Sequence, residues 1–255
     1  MRRNIAQLSA DDLWSDWQRD IERITKDSYE LFTIRRQFRE IAEMFEQNKQ
    51  LQTSGANLWQ WLRLLYATTT LMRFRREVDT QGNTVNLRTL LEEIEKRPDV
   101  ITRHRIASRP QGRGQAVSDL MARLLDESFT KEWAVSSAAG APNDQIDPER
   151  VRTDRIKFEE LTAELDEITS RTIAHRQRVP PAKTTVAGVD AIFVLFEELL
   201  KKYLGLLTGV SLVNAEPTAQ YDTFEPFTFP WHPRADQEWI ELRRPNVRDH
   251  KRDGT

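Results

Sequence analysis

The stretch TTVAGVDAIFVLFEELLKKYLGLL, Thr184 to Leu207, decides the fold class. Its apolar side chains fall at Val189, Ile192, Phe193, Phe196, Leu199, Leu200 and Tyr203, in steps of three and one that put them on one face of a helix. A strand would alternate in twos instead. The other face carries Glu197–Lys201 and Glu198–Lys202, each spaced for an i,i+4 pair toward water. A helix with so wide an apolar face must bury it against further helices.

The rest of the chain supplies them. PERVRTDRIKFEELTAELDEITSRTIAHRQR, residues 148–178, predicts a long helix with Asp147 as N-cap and Pro148 in its first position. Pro180 and Pro181 end it. Near the N-terminus, SADD offers Ser9 as N-cap with Asp12 three residues on. From Trp14 and Trp17 to Phe38, Ile41 and Phe45 the apolar spacing then predicts one long helix to about Gln50, or two broken near Asp27–Tyr29. SGAN at 54–57 is a break, and NLWQWLRLLYATTTLMRFRREVD after it reads as a largely buried second helix with charge only at its end.

LRTLLEEIEK, 87–96, predicts a shorter helix stopped by Pro98, and QAVSDLMARLLDESFTKEW, 115–133, another amphipathic one. RHRIASRPQGRG, 103–114, reads as a basic loop, and SSAAGAPNDQIDP, 136–148, as a connector. The expected architecture is all-α, a single helical bundle with long helices. Residues 1–232 form its domain, including a wrapping segment 209–232 with the Pro/aromatic stretch FEPFTFPWHP; residues 233–255 read as a flexible basic tail.

Composition narrows the chemistry. With 255 residues and 38% hydrophobic content, one sizeable core is the expectation. A net charge of −2 gives no global positive field, so any nucleic-acid contact must be local. No cysteine means no disulfide, thiolate metal site or thiol nucleophile. The N-terminus lacks the apolar run of a signal peptide, and no stretch of membrane-spanning length occurs, so a cytoplasmic protein without a membrane partner is expected. The four histidines, at 104, 175, 232 and 250, show no metal-ligand spacing, and neither metal nor cofactor is expected.

The candidate site lies in SRTIAHRQRVPP, Ser170 to Pro181. Steps of four, three, four and three lead from Leu161 through Leu165, Ile168 and Thr172 to His175, which places the imidazole on the inward stripe. Arg171 stands one turn before it, about 40° round the helix, so both side chains can reach one pocket. Such a pair suits phosphate binding, or RNA cleavage with His175 as general acid or base and Arg171 on the developing negative charge. The alternative is a helix end whose cations complement the macrodipole. Arg73 and Arg76 share one helix face near Asp79; that arrangement suits a buried ion-pair network, and the two also join Arg176 and Arg178 as phosphate-binding candidates.

Taken in order, the long N-terminal helices, YATTTLMRFRREVDTQGNTVNLRTLLEEIEKRPD, TSRTIAHRQRVPPAK and DAIFVLFEELLKKYLGLL with PFTFPW behind it resemble the AbiU-type branch of the HEPN superfamily over about residues 10–232. The resemblance implies an all-α bundle that dimerises, with its site near the end of a late helix. It also implies a metal-independent ribonuclease of toxin–antitoxin or abortive-infection systems, often paired with a nucleotidyltransferase-type antitoxin or another neighbouring gene product. The family signature sets four to six residues between an arginine and a histidine. His175 matches the histidine; only three residues separate Arg171 from it, and Ile168, Thr169 and Ser170 occupy the family's arginine positions. The resemblance therefore implies either an RNA-cleaving homodimer or a non-catalytic HEPN module that binds a partner protein or nucleotide.

Overall fold

A computed structural model describes residues 3–80, 84–108, 123, 127, 129–134, 144–168 and 186–218. The helices named below all belong to one unit, Met1–Pro217.

Helix α1, Ala10–Gln47, starts where Ser9 Oγ accepts the Asp12 N–H at 3.1 Å and donates to the Asp12 carboxylate at 2.7 Å. It passes through residues 27–29 unbroken, so the one-helix reading holds. At 1.5 Å per residue it is about 57 Å long. Leu13, Trp17, Ile21, Ile24, Leu31 and Phe32 enter the core, but beyond Phe32 α1 buries only Arg35 and Phe45. Its second half therefore leaves the core as an arm.

Helices α2, Lys49–Ser54, and α3, Ala56–Val78, turn back along that arm. Asn48 caps α2 by accepting the N–H groups of Gln50 and Leu51, and Gly55 joins the two helices. A Cβ at Gly55 would lie 2.6 Å from the Leu51 carbonyl oxygen and 3.0 Å from Cε1 of Phe45, so only glycine fits this turn. Ring stacking closes the arm: Phe38 on Tyr66 at 3.9 Å, Phe38 on Trp59 at 5.4 Å and Phe45 on Trp59 at 5.0 Å.

Asn86 caps α4, Leu87–Lys96, by accepting the Thr89 N–H at 2.8 Å; a 3₁₀ turn at Pro98–Val100 follows. After α5, Arg103–Ala107, comes α6, Pro148–Ile168, opened by the Asp147 carboxylate accepting the Glu149 N–H at 3.0 Å. The last described helix is α7, Val186–Thr208. All seven apolar residues of its predicted stripe are buried. Phe196 sits at the centre, its ring 6.2 Å from Phe32 of α1, 5.6 Å from Phe74 of α3 and 5.7 Å from Phe158 of α6. Four helices thus share one aromatic core.

Charges align the outer faces. Arg88 of α4 pairs with Glu159 of α6 at 2.6 Å, and Arg155 of α6 with Glu95 of α4 at 2.8 Å. Arg3 ties the N-terminus to both α1 and α4: it meets Asp16 at 3.1 Å, Asp20 at 2.8 Å and both oxygens of Glu93 at 2.9 Å. The Trp17 indole N–H also donates to Glu93, at 3.0 Å.

The structure is all-helical, with no strand among the described residues beyond isolated bridges at Thr102–Gln145 and Ala134–Ile146. No described helix is long and apolar enough to cross a membrane. Three expectations change. Helix α3 is not largely buried: Leu58, Trp61, Leu64, Leu65 and Met72 are exposed, because α3 is apolar on two faces and packs only one. Residues 103–107 are helical, with Ile106 buried and Arg105 donating to the carbonyls of Ala10 and Val100. Lys201 does pair with Glu197 at 2.7 Å, but Lys202 reaches Asp154 at 2.6 Å and lies 4.7 Å over the Trp133 ring. Most of the helix expected at 115–133, the end of the helix expected at 148–178 and the tail beyond Thr218 lie outside the described residues.

Candidate functional site

His175, Arg171, Arg176 and Arg178 lie outside the described residues, between Ile168 at the end of α6 and Val186 at the start of α7. Arg73 and Arg76 are described, and both are engaged.

Helices α1 and α3 run antiparallel here. Asp27 and Glu30 on α1 therefore meet Arg76 and Arg73 on α3 in reverse order, Arg73 donating to Glu30 and Arg76 to Asp27. This is an ion-pair ladder, as the sequence suggested, but it is partly exposed and its acids come from α1. Pairs so open to water contribute only about 0–1 kcal/mol each, so their main effect is on register.

Behind the ladder sits Glu77, buried at the end of α3. Its Oε2 accepts the backbone N–H of Leu87, the first residue of α4, at 3.2 Å. Burial pushes the carboxyl up to about 7, while the Leu87 hydrogen bond and the charge of Arg76 pull the other way. A cavity of about 10 Å³, the size of about one water, lies among Asp27, Ser28, Arg73, Arg76, Glu77 and Phe196. Glu77 is thus a carboxyl that exchanges its proton near neutral pH beside two arginines. The sequence held one signal for it. Thr70, Phe74 and Glu77 follow in steps of four and three, so an acid stands in a core register.

A second cluster, also unread from the sequence, stands at the start of α7. Asp190 Oδ1 accepts from Arg35 Nη2 at 2.8 Å and from Arg39 Nη2 at 3.1 Å. Arg35 is buried, its guanidinium 4.6 Å from the Phe193 ring centroid. Arg36, between them, donates to the carbonyl of Pro217. Arg35 stands one turn after Leu31 and three residues after Phe32, in the core register of α1, and that was the available signal. Together these arginines tie α1 to the start of α7 and to the chain that follows it.

At the other end of α7 a cleft of about 400 Å³ opens between Trp133, Glu132, Lys201, Lys202 and Gly205. Its two lysines already have partners in Lys202–Asp154 and Lys201–Glu197. Among the described residues no group of three or more His, Asp and Glu side chains is placed to hold a metal ion.

The HEPN_AbiU2 family model, AbiU2, matches residues 21–226. The match runs from within α1 to beyond α7 and includes Arg171 and His175. No curated protein and no solved structure matches the chain.

Proposed function

The chain belongs to the AbiU2 family of HEPN proteins, a family of abortive-infection defence, and from that premise we propose that it is a metal-independent endoribonuclease. The family match over residues 21–226, a span that takes in the segment from Arg171 to His175, carries this reading. It is supported by the packing of α6, where Phe158 and Thr162 are buried and Leu161 packs on the core; Leu161 opens the sequence register that counts through Leu165, Ile168 and Thr172 to His175.

In the proposed reaction the RNA 2′-hydroxyl attacks the adjacent phosphorus and the bond to the 5′ oxygen of the next nucleotide breaks. The products are a 2′,3′-cyclic phosphate and a free 5′-hydroxyl. His175 moves a proton, from the attacking hydroxyl or to the leaving oxygen, and Arg171 neutralises charge on the phosphorane. Arg176 and Arg178 hold flanking phosphates, and a homodimer brings two such sites to one cleft. Arg73 and Arg76 could join them only by exchanging Glu30 and Asp27 for phosphate.

Expression of the wild type is expected to arrest growth, and purified protein to cleave RNA in EDTA to cyclic-phosphate ends. His175→Ala should lose both. Undiminished cleavage by that variant disposes of the site. The spacing of Arg171 and His175, shorter than the family signature, favours a second reading: a non-catalytic module that binds a nucleotide or a neighbouring gene product such as a nucleotidyltransferase-type antitoxin. No cleavage across a panel of RNAs, with a stable complex formed with that product, would establish it.

A further inference from the structure

Helix α3 has two apolar faces, and the bundle uses one. Trp59, Tyr66, Thr70 and Glu77 repeat on the side turned to α1 and the core. About half a turn round the helix, at 100° per residue, stand Leu58, Trp61, Leu65, Thr68 and Met72. Leu58, Trp61, Leu65 and Met72 are 47, 55, 44 and 50% exposed, and the flanking Leu64 is 62% exposed. The other exposed large apolar side chains among the described residues are scattered: Tyr29 on α1, Ile156 on α6, Val194 on α7, and Val210 and Val213 after it.

The outward stripe is ordered as well as apolar. Its steps are three, four, three and four, the 3.5-residue period of a helix that pairs with another helix. It is also close to symmetric about Leu65. Turning a second α3 end for end about that residue sets Leu58 against Met72, and Trp61 against the small side chains Thr68 and Thr69. Large groups then meet small ones, as interdigitated packing requires. The same register places Arg63 opposite Ala67 and Arg73 opposite Asn57, so like charges do not face each other. Antiparallel helix dipoles add a favourable term. The five exposed side chains leave on the order of 500 Å² open, so two copies would cover on the order of 1,000 Å², the threshold of a specific interface.

We propose that the outward face of α3 is where two copies of this chain pair, antiparallel, with Leu65 on the two-fold axis. The inference deepens the homodimer reading above by naming the surface, which is presented on the arm formed by α1, α2 and α3.

The absence of cysteine makes the test clean. In the full chain, Leu65→Cys introduces one thiol that oxidation can join only to its own copy, and on a two-fold axis the two Cβ atoms come within disulfide reach. Sedimentation equilibrium of the wild type should give twice the 29.9 kDa chain mass, and mild oxidation should convert most of the Leu65→Cys protein to a covalent dimer. Val194→Cys, exposed on α7, should stay uncrosslinked under the same oxidation. Leu65→Glu should halve the measured mass with helical circular dichroism unchanged, since Leu65 is exposed and stands outside the core cluster. A wild-type dimer with no crosslinking at position 65 above the Val194→Cys control overturns the proposal and leaves the homodimer reading standing. A wild-type monomer overturns both, and then a helix of another protein is the occupant to seek. Absence of RNA cleavage with the crosslink intact would instead remove the nuclease reading alone.

Discussion

Glu77→Gln isolates the one described carboxyl whose titration reaches neutrality. In the folded chain this group takes up its proton at about 7, against 4.5 for an ordinary glutamate. Between those values the folded protein holds a proton that the unfolded chain has released. Stability therefore falls as pH rises from 4.5 to 7, and above 7 the loss is constant. At about 1.4 kcal/mol for each tenfold change in proton affinity, the full loss is about 3 kcal/mol. Glutamine retains an oxygen for the Leu87 N–H and carries no charge to bury. Urea melts of both proteins at pH 4.5 and pH 8 should show the variant gaining about 3 kcal/mol on the wild type across that interval. A difference that stays constant from pH 4.5 to 8 would refute the reasoning, because Glu77 would then titrate alike in the folded and unfolded chains. Glu77→Ala separates the hydrogen bond from the charge: it leaves the Leu87 N–H unpaired, at a cost of about 1–3 kcal/mol present even at pH 4.5.

Other perturbations follow from single contacts. Phe196→Ala removes the ring at which α1, α3, α6 and α7 converge and should cost about 3–5 kcal/mol in chemical denaturation. Asp190→Ala leaves the buried Arg35 without its carboxylate and should cost roughly 1–3 kcal/mol; hydrogen exchange in the first turns of α7 should rise with it. Gly55→Ala drives a methyl into the Leu51 carbonyl and the Phe45 ring and should lower stability by about 1–3 kcal/mol, with exchange quickened in α2 first.

How much of this was legible depended on how many surfaces an element serves. Helix α7 was readable to the residue because one face meets the core and the other meets water, so composition and burial agree at Val189 through Tyr203. Helix α3 was misread because apolar residues on both faces look like full burial, and only the packing tells an outward Trp61 from an inward Trp59. Caps were readable at Ser9 and Asp147 because they act within three residues. Lys202 was not, since its partner Asp154 lies on another helix. The same holds for Asp190, whose arginines stand more than 150 positions away. At the candidate site, Arg73 and Arg76 took the ion-paired form the sequence suggested, while Glu77 escaped notice because a charged residue one step beyond them was counted with the helix end. His175 and Arg171 are assigned from register and family likeness; the described residues supply only the helices on either side.

The salt bridges of Arg3 bear on how the protein should be handled. Its guanidinium is the shared counterion of Asp16, Asp20 and Glu93, three carboxylates gathered where α1 meets α4. Trimming the first three residues would leave that acidic cup without its cation, and mutual repulsion would press on the seam between the two helices. Such a shortened chain should recover in acid, where the carboxylates take up protons, and should respond to added salt far more than the intact one. An N-terminal fusion that keeps Arg3 in place avoids this, and the purification behaviour of differently cut preparations would report it before any enzymatic assay.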